Sequence, residues 1–159
     1  MKIALDLAVI SKTRGEFPFG AVIIQDGKVV AAAENGERRK ADVTAHAEMM
    51  AISEACWKLA RRDLSDCIIY SSAEPCPMCS AAIFQSNIAR VAFGLYRDDL
   101  PHLFRRRKIR IAQLADDWDY RPEVVGGIMR EEAIKAFDGI EKPWRVAGTY
   151  HGDEHARKK

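Results

Sequence analysis

At 159 residues, 48% of them hydrophobic and 30% charged, the chain is long enough to bury a core without staples and has the composition of an ordinary globular protein. Its 25 Lys plus Arg against 23 Asp plus Glu leave a formal net charge of +2, which excludes a whole-chain attraction to nucleic acid and leaves any such partner to a local patch. No apolar run approaches the roughly 20 residues that span a bilayer. The opening MKIALDLAVISKTRG carries Asp6 and no small-residue cleavage pattern, so it is not expected to be a secretory signal. A reducing cytoplasm is the expected compartment, where four cysteines serve as ligands or packing rather than bridges. A single domain over residues 1–159 is expected, since no linker or repeat divides the chain.

Residues Ile3 to Ile10 fit a short helix ending near Gly15. FGAVIIQDGKVVAAAEN, residues 19–35, reads as a β-hairpin whose two apolar runs are joined by Asp26-Gly27. From Thr44 to Arg62 the period turns helical, with Ala47, Met50, Ala51, Ala55 and Leu59 recurring at three and four. CIIYSS, residues 67–72, reads as a buried strand, Pro77 to Ser86 as a helix, and ARVAFGL as another strand. IRIAQL, Ile109 to Leu114, is a candidate further strand, and Val124 to Phe137 reads as a final amphipathic helix. Helices alternating with strands after an opening hairpin predict a three-layer α/β/α sandwich, with a mixed sheet of about five strands and helices on both faces. The stretch from Asp98 to Lys108 is the longest irregular segment, and residues 138–159 form a C-terminal tail.

The chemistry concentrates in SSAEPCPMCSAA, residues 71–82. Pro77 forces Cys76 into extended backbone and is itself favoured at the first helical position, so Cys76 is the expected N-cap and Cys79 the third helical residue. Two sulfurs then sit at the positive end of a helix, where thiolate is favoured. Taken alone, the pair fits a metal site, a redox couple or packing.

The second half of the site is DVTAHAEMMAIS. His46 is expected in the first turn of its helix, with Thr44 or Asp42 as cap. Glu48 follows at i+2, off the histidine's face, and so is free to act on something bound beside a metal. His46, Cys76 and Cys79 make three ligands suited to zinc, leaving an open position for water as catalytic sites do. Cys56, deep in a helix, and Cys67, opening an apolar strand, read as small buried hydrophobes. His102, His151 and His155 have no ligand-like spacing and read as surface residues.

His46-Ala47-Glu48 followed by Pro75-Cys76-Pro77-Met78-Cys79 resembles the H-x-E…P-C-x-x-C signature of zinc-dependent nucleobase deaminases. The chain is identified by it as similar to the cytidine deaminase-like superfamily, closest to the branch of guanine deaminases and tRNA adenosine deaminases, over residues 17–94. The resemblance implies one catalytic Zn²⁺ held by His46, Cys76 and Cys79. It implies too that a metal-activated water attacks an amine-bearing ring carbon, with Glu48 shuttling the proton and ammonia leaving. Asn35, eleven residues before His46, stands where relatives hydrogen-bond the base; a turn residue in Glu34-Asn35-Gly36 is the other reading. Phe19, in FPFGAV, matches the phenylalanine lining the guanine deaminase pocket, or packs a strand start. The backbone N–H of Ala47 is expected to meet a substrate carbonyl. Val43 replaces the proline of D-P-T-A-H-A-E, and neither the K-x-G-A of tRNA enzymes nor the G-F-D-D of guanine deaminases follows Gly94.

A small-molecule nucleobase, guanine-like for preference, with cytosine or a nucleoside as neighbours, is the expected substrate. A tRNA adenosine is the alternative, for which RRRKIR, Arg105 to Arg110, and the HARKK tail offer basic groups. Dimerisation, and a tail aromatic such as Trp144 or Tyr150 covering the site, are expectations of the resemblance.

Overall fold

The turn at Asp26-Gly27 sets the first half of the sheet. Both residues have positive φ, 50° and 73°, the conformation whose twist matches a two-residue hairpin. It joins β1 (Gly20–Gln25) to β2 (Lys28–Glu34) in antiparallel register. The computed structural model describes residues 1–104, 109–118 and 121–140. Ahead of the hairpin, α1 (Lys2–Thr13) buries Ala4, Leu5, Ala8 and Ser11 along one stripe. Small residues let it lie directly on β1. A Cβ added at Gly20 would come within 2.8 Å of the Ala8 amide nitrogen and clash with the Ala4 carbonyl.

A short α2 (Glu37–Lys40) leads into α3 (Ala47–Leu59), then β3 (Cys67–Ala73), α4 (Pro77–Gln85) and β4 (Arg90–Leu95). After a 3-10 turn at Arg97–Asp99 come α5 (Ile111–Ala115), β5 (Glu123–Val125) and α6 (Arg130–Lys135). The five strands are ordered β2-β1-β3-β4-β5. β1 runs antiparallel to both neighbours, whereas β3, β4 and β5 are mutually parallel. Apolar side chains of α3, α4 and α5 fill one core, with Ala21, Ile23, Ile69 and Val91 from the sheet. Leu5 and Ala8 of α1 and Ala133 of α6 fill the other, with Ala73 and Leu95. Helices therefore cover both faces of a mixed five-stranded sheet, the expected three-layer sandwich.

Two expected elements are corrected. Ile109 to Leu114, expected as a strand, is helical from Ile111, because Ile111, Leu114 and Ala115 share one helical face and Gln113 Oε1 accepts the Arg110 N–H at 2.8 Å. The continuous helix expected over Val124–Phe137 is divided. Val124 and Val125 pair with β4 as the fifth strand, Gly127 follows at φ 81°, and only Arg130–Lys135 is helical. β-branched residues followed by two glycines favour a strand and a break over a helix. Arg105–Lys108 and the tail from 141, with Trp144, Tyr150, His151 and His155, lie outside the described residues. Among the described residues no helix is long and apolar enough to cross a membrane.

Candidate metal centre and active site

Two helix N-termini meet at the site. Cys76 is the N-cap of α4, extended at φ −72° and ψ 165°, with Pro77 as the first helical residue and Cys79 the third. His46 is itself the N-cap of α3 at φ −68° and ψ 151°, one step earlier than expected. The expected cap is used elsewhere: Asp42 Oδ1 accepts the Thr44 backbone N–H at 2.8 Å and its hydroxyl at 2.6 Å. The His46 ring faces the two sulfurs of Cys76 and Cys79.

The three donors come together. His46 Nδ1 lies 3.4 Å from Cys79 Sγ and 3.7 Å from Cys76 Sγ, and the sulfurs are 3.5 Å apart. A tetrahedral zinc with Zn–S of about 2.3 Å and Zn–N of about 2.0–2.1 Å needs donor separations of about 3.6–3.8 Å. His46, Cys76 and Cys79 are thus positioned to coordinate one metal ion, all donor atoms within 4.8 Å of one another. All four cysteines are free, and Cys67 is buried at the start of β3 while Cys56 is half-buried.

The electrostatics suit the same conclusion. The hydrogen bond from the Cys79 thiol, opposed by burial and reinforced by the His46 ring, holds Cys76 down to about 3. The cost falls on Cys79, pushed well above its ordinary range by donating to Cys76 and by burial. Burial pulls the His46 imidazole down, yet Cys76, Glu37 and Glu48 outweigh it and raise the ring to about 10. The site thus gathers negative charge around its one imidazole, an arrangement that a divalent cation satisfies.

Glu48 is 5% exposed and, as expected from its spacing, sits beside the three donors rather than among them. Its Oε1 accepts the Ser71 hydroxyl at 3.0 Å, and its Oε2 lies 3.5 Å from Cys79 Sγ. Burial raises its carboxyl above the usual range, partly opposed by His46. A carboxyl tuned upward beside a metal position is suited to alternate as base and acid.

A cavity of about 210 Å³ opens on Glu48, His46 and Cys76, walled by Phe19, Phe104 and Arg97. Phe19 packs at 6.0 Å from Phe104 and 5.5 Å from Phe137, between centroids, so it both lines the cavity and packs the core. Asn35 is wholly buried beside it, its N–H donating to Phe19 O at 2.9 Å. Its Nδ2 is 3.5 Å from Glu16 Oε2, and its Oδ1 has no hydrogen-bond partner among the described residues. Ala47 opens α3, so its N–H is one of those with no acceptor inside the helix.

Three residues at the site escaped the sequence reading, Ser71, Arg97 and Glu37, and Phe104 reads there only as the aromatic beside the basic run. Strand alternation in CIIYSS offered a signal for Ser71, on the same face as Ile69. Arg97 directly precedes the irregular segment that begins at Asp98, and Phe104 lies within it, where no period places a side chain. Arg110, the last of the basic run, is held by Glu74 at 2.8 Å and by Asp98.

Residues 1–95 match the family described as cytidine and deoxycytidylate deaminase zinc-binding region. The chain belongs to this family of zinc-dependent deaminases. It is 43% identical over 94 residues to the tRNA-specific adenosine deaminase of Aquifex aeolicus, covering 59% of this chain and 62% of that one. It is 45% identical over 82 residues to the guanine deaminase of Bacillus subtilis, covering 52% and 53%. The deaminase-family chain thus spans less than two thirds of the length of these curated relatives. A solved structure from studies of A-to-I editing by tRNA:A34 deaminases superposes with a TM-score of 0.75 at 32% identity, covering 86% of this chain and 96% of that one. The mixed sheet and helices described above are the fold of this deaminase family.

Proposed function

We propose that this chain is a hydrolytic deaminase of a guanine-like free base, replacing a ring C–NH₂ by C=O with release of ammonia. The supporting observation is the lining of the cavity beside the metal position. Arg97, 8% exposed, lines it with its guanidinium over the Phe104 ring at 4.9 Å, and Phe19 closes another side. When guanine turns its C2 amine toward the metal, its O6 and N7 acceptors lie on the far edge, the pair that a guanidinium fork meets bidentately. Adenine turned by its C6 amine offers one far-edge acceptor, N3.

Zinc at His46, Cys76 and Cys79 supplies a Lewis acid that makes water a nucleophile near neutral pH. The protein's own groups handle the rest. Glu48 accepts one proton of the attacking water and delivers it to the base nitrogen, then takes the remaining hydroxyl proton and passes it to the amine, which leaves as ammonia as the C=O forms, while the Ser71 hydroxyl holds Oε1 in place. Asn35 Oδ1 accepts an N–H of the base, and the Ala47 N–H is a donor to the ring at its metal end. In this reading residues 1–159 are one cytoplasmic domain that works as a homodimer.

A second reading, a tRNA adenosine deaminase, is favoured by the likeness to the tRNA:A34 deaminase structure over 96% of that chain. Ammonia release decides between them when the zinc-loaded protein is given guanine, cytosine, adenine, their nucleosides and tRNA separately. Fast release from guanine, lost in Arg97→Met, is the expected result. Release from tRNA alone, falling steeply with salt, would replace it with the second reading.

A further inference from the structure

His46 has two ring nitrogens, and the metal position accounts for one. Nδ1 faces the sulfurs; Nε2 points the other way, 3.5 Å from Glu37 Oε2. Glu37 is 2% exposed, and neither carboxylate oxygen has a hydrogen-bond partner among the described residues. A carboxylate is rarely taken from water without compensation, and the arginines beside it in sequence look elsewhere. Arg38 lies over the Phe17 ring and donates to Gly15 O, while Arg39 pairs with Glu34.

The backbone holds Glu37 and His46 face to face. Gly36 N–H donates to Ala45 O at 2.9 Å, and Asp42 N–H to Glu37 O at 3.1 Å. These bonds fold residues 36–46 back on themselves, so the first residue of α2 meets the N-cap of α3. The separation of 3.5 Å is the outer edge of hydrogen-bond range.

We propose that Glu37 is the positioning residue of the metal-bound histidine. It accepts the Nε2–H of His46, which fixes the tautomer whose Nδ1 lone pair faces the metal and orients the ring between the two sulfurs. A neutral imidazole carries one proton; anchoring it at Nε2 is what frees Nδ1 to ligate. Such outer partners raise the basicity of a ligating histidine and commonly change metal affinity by roughly 10–100-fold. The proposal rests on His46 as a ligand, and its test separates the two.

Zinc affinity is measured by competition with a chromogenic chelator for the wild type, Glu37→Gln, Glu37→Met and His46→Ala, with the tautomer of His46 read from long-range ¹H–¹⁵N spectra of the zinc-loaded forms. Glu37→Met is expected to weaken zinc by roughly 10–100-fold and to lose the slowly exchanging Nε2 proton. Glu37→Gln keeps an acceptor oxygen and the side-chain shape, and is expected to restore the proton signal and most of the affinity. If Glu37→Met folds normally, holds zinc within twofold of wild type and keeps the Nε2 signal, Glu37 has no such role. Full zinc in His46→Ala would instead remove the ligand assignment on which the proposal stands.

Discussion

In the proposed reaction Glu48 and Ser71 divide the chemistry between them. Burial raises the Glu48 carboxyl, and the Ser71 hydroxyl pulls in the other direction by stabilising its charged form. Glu48→Gln keeps the shape and removes the proton carrier, so zinc content should stay at wild-type level while kcat falls by roughly 10²–10⁴; normal turnover in that variant would remove Glu48 from the mechanism. Ser71→Ala deletes a donor to the carboxylate. The Glu48 carboxyl then rises further, and the acid limb of the kcat/KM profile should move to higher pH, which a profile between pH 5 and 9 reads directly. His46, Cys76 and Cys79 were legible in the sequence because proline and helix-start rules constrain them locally. Glu37 was not legible: a glutamate followed by two arginines and a lysine reads as a solvated charge run, and only the fold-back of residues 36–46 buries it.

Among the elements, the opening hairpin and the alternation of α3, β3, α4 and β4 followed from turn chemistry and hydrophobic period. Both misreadings fell after β4, where elements are three to six residues long and too short for period to separate helix from strand. Packing of α1 on β1 depends on the missing side chain at Gly20. Gly20→Ala places a methyl against the Ala4 carbonyl, 2.7 Å from Leu7 Cβ, and overpacking of this kind costs about 1–3 kcal/mol. A urea unfolding series should show the midpoint lowered with an unchanged slope. Zinc content should be retained, because the clash lies outside the metal position.

For the molecule as a whole, the metal couples two helices that are far apart in sequence. A ligand present at about 1,000 times its Kd adds about 4 kcal/mol of stability, so stripping zinc should lower Tm by roughly 8–16 °C at this chain length. Calorimetry with and without chelator measures it. Uptake should also depend steeply on pH. Without metal, His46 keeps its proton up to about 10, Cys79 keeps its own well above the ordinary range, and Cys76 is already a thiolate. Binding must then expel one proton from His46 and one from Cys79. Affinity therefore falls as pH falls, by about two decades per unit between pH 6 and 9, and zinc titration in buffers of different ionisation enthalpy counts the protons. The division of labour in space has a last consequence. Every group assigned to bond breaking lies between residues 46 and 79, on β3 and the first turns of α3 and α4, whereas Phe19, Arg97 and Phe104 enter the cavity from outside that window. Reagents and template are separately encoded. Drift in the segment after β4 can retune which ring is admitted while the hydrolytic apparatus stays untouched, so one architecture can serve free bases in one lineage and bases within a polymer in another.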